Sequence, residues 1–189
     1  MLSEIVQIIN SKLKPLFKGS ITYGITEMIP VIDDTVNFYP FEVKKNSESV
    51  KMAIDNTVSL QIYHRLISKQ TQYRETQYGN NNKDVTDVYQ LSMYVIGNRN
   101  KLSTTTEDTS LKITGGMPDV FTENGKQIAI ATLTNVDFNS VLIINAEFPN
   151  TDYSGLPDIF MIRHDYLIRH SYKRNCITCE TECKNYSTN

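Results

Sequence analysis

Two long stretches of this chain alternate between apolar and polar side chains with a period of two. Over residues 50–66, Val50, Met52, Ile54, Val58, Leu60, Ile62, His64 and Leu66 share one parity. Over residues 85–95, Val85, Asp87, Tyr89, Leu91, Met93 and Val95 do the same. Successive side chains of an extended backbone point to opposite sides, so each stretch predicts a strand with one buried face. The segment between them is polar and holds Gly79-Asn80-Asn81-Asn82, which is strong turn chemistry. The pair predicts a long β-hairpin with its root in the core and an arm over about residues 67–84. A strand over residues 58–76, at ~3.3 Å per residue, reaches roughly 60 Å, so the tip is expected to project. The same polar segment also reads as a surface loop without a partner.

Other elements follow from shorter signals. Ile5, Ile8, Ile9, Leu13 and Leu16 fall at helical spacing, with Ser3 as N-cap and Pro15 and Gly19 marking the end. Ser20–Ile25 and Val36–Val43 read as strands, and MIPVIDD between them as a turn broken by Pro30. A short second helix starts near Thr106, and Gly115-Gly116-Met117-Pro118 reads as a turn. Ile128–Thr134 and Val141–Phe148 are strand-like. In the last strand Phe160, Ile162, His164, Tyr166, Ile168, His170 and Tyr172 share one face. Met161, Arg163, Asp165, Leu167, Arg169 and Ser171 share the other. The expected fold class is α+β: a mostly antiparallel sheet with a long projecting β-hairpin, and an N-terminal amphipathic helix and a second short helix packed on the sheet. One domain is expected over residues 1–175, followed by a cysteine-containing tail over residues 176–189.

Composition fits a globular chain, with 40% hydrophobic and 21% charged residues. A formal net charge of −2 argues against coating nucleic acid by bulk charge. Eleven tyrosines and no tryptophan suit strands and half-wet interfaces. No stretch approaches the ~20 apolar residues of a membrane helix, and the first residues lack the pattern of a signal peptide. An uneven cluster of three cysteines favours a reducing compartment.

Candidate chemistry is sparse. CITCETEC holds Cys176, Cys179 and Cys183, three thiols where zinc wants four ligands. His170 is the one candidate for the fourth position, on a strand face that reads as buried. The bland reading is a reduced tail, free or docked on a neighbour; a metal or redox site built on these thiols stands as the alternative. His64, His164 and His170 have apolar parity and read as core or boundary histidines. Asp165, between Arg163 and Leu167 on its face, reads as half of a cross-strand ion pair rather than as an acid or base. No nucleophile elbow, HExxH or P-loop occurs, so no catalytic constellation is expected. Tyr73, Arg74 and Tyr78 on the arm, and Arg163, Arg169 and Lys173 on the last strand, are the interface candidates. The last three also admit a nucleic-acid contact, or simply a solvated face.

The element order, with FMIRHDYLIRHSYK following SVLIINAEFPN, resembles the small α+β neck and tail-completion proteins of tailed bacteriophages. The likeness is to the tail-terminator-like group and, more loosely, to connector ring proteins. It covers residues 1–175 as a pattern rather than a motif, and the long arm and cysteine tail depart from it. The resemblance implies a non-enzymatic virion protein without cofactor, assembled in the bacterial host cytoplasm. It implies a homo-oligomeric ring at the head–tail junction, next to portal, neck or tail proteins, around a channel where genomic DNA is a non-specific contact. It implies no membrane.

Overall fold

The chain runs through helix α1 (Leu2–Leu13), strands β1 (Ser20–Asp33), β2 (Thr35–Glu42), β3 (Val50–Lys51), β4 (Leu60–Glu75) and β5 (Lys83–Asn98), then helix α2 (Thr106–Gly116). Strands β6 (Val120–Glu123) and β7 (Lys126–Asp137), helix α3 (Ser140–Glu147) and strand β8 (Ile159–Lys173) complete it. The structure, a computed structural model, describes residues 1–33, 35–43, 49–75, 83–123, 125–149, 151 and 156–173. It is an α+β fold on one mixed sheet of order β3-β2-β1-β4-β5-β8-β7-β6. Neighbouring strands are antiparallel except β1 and β4, which run parallel. Among the described residues no helix is long and apolar enough to cross a membrane.

The long alternating runs form the predicted pair. Strands β4 and β5 stay in register from Leu60↔Gly97 to Glu75↔Lys83, with a bulge between Leu66 and Ser68. The turn expected between them lies outside the described residues. The arm is not a free hairpin, because β8 runs beside β5 over its whole length, from Asn98↔Ile159 to Asp84↔Lys173. The distal part is therefore a three-stranded blade.

Alternation predicts one buried face, and the root of the sheet has two. On the front face Leu60, Ile62, Leu91, Met93, Val95, Phe160 and Ile162 pack with Ile5, Ile9 and Leu13 of α1 and Ile113 of α2. On the back face Tyr63, Tyr94, Ile96 and Met161 pack with Ile143 and Ile144 of α3 and with Phe148. Tyr63 and Tyr94 stack at 4.9 Å, and Phe148 meets Tyr63 edge-on at 6.4 Å. The front face matches the expected parity from Val85 to Val95 and from Phe160 to Ile168.

Five local expectations are corrected. Residues 50–66 are not one strand: β3 ends at Lys51, β4 begins at Leu60, and Met52 joins the back-face core while Leu60 joins the front. MIPVIDD belongs to β1, which pairs with β2 through Pro30↔Phe38 to Asp33↔Thr35. Val43 N–H bonds Ile25 C=O, so by alternation Pro30 sits at a non-bonded position towards β2. Its missing donor faces the other side, where β4 has stopped pairing at Thr26↔Arg65. Helix α1 starts after Met1 rather than Ser3. Gly115 and Gly116 end α2 instead of forming a turn, with Thr105 Oγ1 accepting from Asp108 N at the start.

The fifth correction is residues 141–148, a helix and not a strand. Asn139 caps it by accepting from Leu142 N, and Ser140 Oγ both donates to Met161 C=O and accepts from Met161 N. Its buried residues, Ile143, Ile144 and Glu147, follow helical spacing. β-Branched residues prefer strands only weakly, and burial against Tyr63 and Met161 overrides that preference here.

Two glycines allow close approach. A Cβ on Gly97 would lie 2.2 Å from Cζ of Phe160, its partner across the ladder. A Cβ on Gly116 would lie 2.4 Å from Cδ1 of Leu16, where α2 meets the end of α1. Gly97→Ala is expected to destabilise the fold by about 1–3 kcal/mol, because the Phe160 ring is fully buried and must move. Urea denaturation checks this, and an unchanged midpoint would contradict the packing of Phe160 over Gly97.

Candidate functional site

Strands β1 and β4 lie side by side only from Ser20↔Leu60 to Thr26↔Arg65. Both continue past that point with other partners, β1 with β2 and β4 with β5. The β1–β2 continuation is a two-stranded wing. Register places Met28 beside Pro40, Pro30 beside Phe38 and Ile32 beside Val36, so one face of the wing is wholly apolar. Ile32 is 81% exposed, Val36 59% and Phe38 51%. Two-stranded ribbons are marginal in water, and an exposed apolar face of this kind marks an interaction surface. The sequence signal was the unbroken apolar run Met28–Ile32. Pro30 and the following aspartates had disguised it as a loop.

The blade is built differently. Asp87 is buried on its front face and accepts from Thr71 Oγ1 (2.7 Å), Tyr89 OH (3.1 Å) and Tyr172 OH (3.4 Å). Lys69 Nζ pairs with it at 2.9 Å. Burial pushes this carboxyl up, but the bonds from Thr71, Lys69 and Tyr89 outweigh burial and hold it below the ordinary value. The same hydrogen bond holds Lys69 above its ordinary value. One carboxylate thus ties β4, β5 and β8 together. His170 is opposite Asp87 in register and stacks on Tyr172 at 4.9 Å.

Further buried polar groups fasten helices to the sheet. His64 Nε2 donates to Asn10 Oδ1 of α1 (2.9 Å), since the Asn10 amide already donates to Tyr23 C=O. His164 Nε2 meets Ser110 Oγ of α2 at 2.9 Å. On the back face Arg65 pairs with Glu147 of α3 at 2.6 Å, Tyr63 OH donates to Glu147 (3.2 Å), and Arg65 donates to Tyr94 OH. Burial pushes the Glu147 carboxyl up despite Arg65, and pushes Tyr63 and Tyr94 well up. Each group is held in a bond between elements, the pattern of structural polar residues.

The sequence-predicted site residues are scattered over this frame. Tyr73 is 62% exposed on the distal part of β4. Arg74 pairs with Asp84 in the ladder, and Tyr78 lies outside the described residues. Arg163 and Arg169 do share the back face of β8 by register, but they form no patch, and the side chain of Lys173 lies outside the described part of the structure. Arg163 is engaged along its own strand by Asp165 (3.2 Å) and across strands by Asp137 (3.7 Å). The cross-strand ion pair expected of Asp165 is made instead by Arg163 with Asp137, while Asp165 accepts across the ladder from Ser92 Oγ (2.6 Å). Arg169 is six residues farther, roughly 20 Å along the strand. It lines a groove of about 530 Å³ with Gln72, Tyr73, Thr86, Ile130 and Ser171. Cys176, Cys179 and Cys183 lie outside the described residues, among which no group of three His, Cys, Asp or Glu is placed to hold a metal.

The chain matches no protein-family model, and no curated protein matches it. The site therefore has to be interpreted from its own geometry.

Burial lowers the proton affinity of His64 to a pKa of about 3 and of His164 to about 4, against an ordinary 6.5. Below pH 6.5 the unfolded chain takes up protons that the fold refuses, so stability is complete above that pH and falls as pH drops towards 4. Each histidine contributes up to ~1.4 kcal/mol per pH unit in that window. Glu147, pushed up by burial, acts with the opposite sign above its ordinary value and offsets part of the loss. Denaturant midpoints measured from pH 8 to pH 4.5 are expected to be flat and then fall. His164→Asn is expected to make the fall shallower, and a pH-independent midpoint would contradict both neutral, buried histidines.

Proposed function

We propose that this protein is a structural subunit that acts by self-assembly and docking, forming an oligomeric ring at the head–tail junction of a tailed bacteriophage. The observation that carries the assembly half of this reading is the apolar face of the β1–β2 wing, with Ile32, Val36 and Phe38 in water. A face of that kind on a two-stranded ribbon is stable when a neighbour covers it. The buried groups Asp87, His64, His164 and Glu147 support the same reading, because each is engaged in fastening strands or helices. The placement at the head–tail junction rests on the resemblance in element order, of which the amphipathic helix, the long strand pair, the second helix and the last strand remain, whereas Val141–Phe148, expected as a strand beside the last one, is helical. In this reading the β4–β5–β8 blade projects from the ring body. Neighbouring portal, neck or tail proteins bind its two rims, and genomic DNA passes through the channel.

Native mass spectrometry across a concentration series tests assembly. The full chain is expected to form a closed oligomer. Ile32→Asp combined with Phe38→Asp is expected to weaken association at least tenfold while leaving the circular dichroism of the monomer unchanged, since Ile32 is 81% and Phe38 51% exposed. A chain that stays monomeric at every concentration would remove the reading.

A further inference from the structure

We propose that the wing of one copy adds head-to-tail onto the open edge of β4 (Ile67–Glu75) in the next copy, extending that copy's sheet. This rests on the self-assembly reading and names its acceptor. From Ile67 onward β4 has β5 on one side and no described strand on the other. Residues 69–73 are exposed, and proline is absent from this edge. Such an edge is a template for another strand.

The chain's own wing is not shaped to fill it. Pro30 interrupts the edge of β1 that faces the gap, as its bonding position requires. On the outer edge of β2, by the same alternation, Val36 and Phe38 turn their N–H and C=O groups outward. Pro40, next in that alternation, has no N–H and its C=O accepts from Met52 N, so the free stretch of this edge ends at Phe38. The uninterrupted stretch Val36–Phe38 is the donor.

Charge selects this acceptor over a second wing. Residues 26–43 carry Glu27, Asp33, Asp34 and Glu42 and no basic residue. The blade carries Lys69, Arg74, Lys83, Arg169 and Lys173 against Glu75, Asp84 and Asp87. Wing against wing brings like charges together, whereas wing against blade brings opposite ones. The acceptor also offers apolar counterparts, with Ile67 45% and Tyr73 62% exposed. Donor and acceptor are different surfaces, so the contact repeats from copy to copy and closes into a ring when the rotation allows.

The test replaces Phe38 with the photo-cross-linker p-benzoylphenylalanine in the full chain, mixed with a ¹⁵N-labelled wild-type copy. Irradiation at assembling concentration is expected to give inter-chain adducts on residues 66–73 of the labelled copy. The same probe at Val36 repeats the measurement if the first variant folds poorly. Tyr73→Glu is expected to weaken association at least tenfold with the wing intact. Adducts between two wings, or on β6 and β7, in an assembled oligomer overturn this pairing and leave self-assembly standing. An absence of any assembled species overturns both.

Discussion

His64 and Arg65 are neighbours on β4, yet they act on opposite faces of the sheet. Strand alternation sends His64 to Asn10 of α1 in front and Arg65 to Glu147 of α3 behind. His164, on β8, meets Ser110 of α2. Three helices are therefore each fixed by at least one polar contact to a strand of the central sheet. Apolar burial supplies the attraction between layers, but it is not directional. A buried donor or acceptor left unpaired costs more than its bond returns, so these contacts penalise every other placement of the helices. The cost remains visible in the fold: Nδ1 of both His64 and His164 is buried without a partner.

Beyond the helices the same sheet divides into two extensions with opposite solutions. The blade keeps three strands and is tied by Asp87, whose donors come from β4, β5 and β8. A polar knot of this kind holds strands together without demanding a further apolar layer. The wing has two strands and an apolar face. It lacks an equivalent knot among the described residues and gains nothing from water. Stability in the wing thus depends on what covers it, whereas stability in the blade is internal.

The parts of this fold legible in the sequence are those where a single period runs uninterrupted. Val85–Val95 and Phe160–Tyr172 alternate for more than ten residues, and both became central strands with the expected front face. Helix α1 was legible because its stripe of Ile5, Ile9 and Leu13 is amphipathic. Helix α3 was not. SVLIINAE is aliphatic on every side, and its inner stripe includes Glu147, a residue normally read as outward. Only Arg65, Tyr63 and Tyr94, distant in sequence, make that glutamate a core residue. The wing failed for another reason. A proline normally ends a ladder, and whether its missing donor faces a partner or an open edge depends on where β4 stops, which local pattern does not record. Tyr73 and Arg169 were legible as outward residues. Arg163 was not separable from Arg169 until Asp137 appeared beside it.

The wing and the open edge of β4 have one origin, the parting of β1 from β4 after Thr26 and Arg65. Had the two strands stayed together, the parallel ladder would have satisfied both edges, and Ile32 and Phe38 would lie over an extended sheet. Pro30 acts against that outcome, because it removes a donor from the edge of β1 that would have to pair. The bulge that follows at Ile67 reverses which side chains of β4 face front, bringing Lys69 and Thr71 onto Asp87. Bulge and knot commit β4 to the blade, and proline commits β1 to the wing. The gap between them is thus built from specific residues on both sides, and a second chain can complete what the first is prevented from closing.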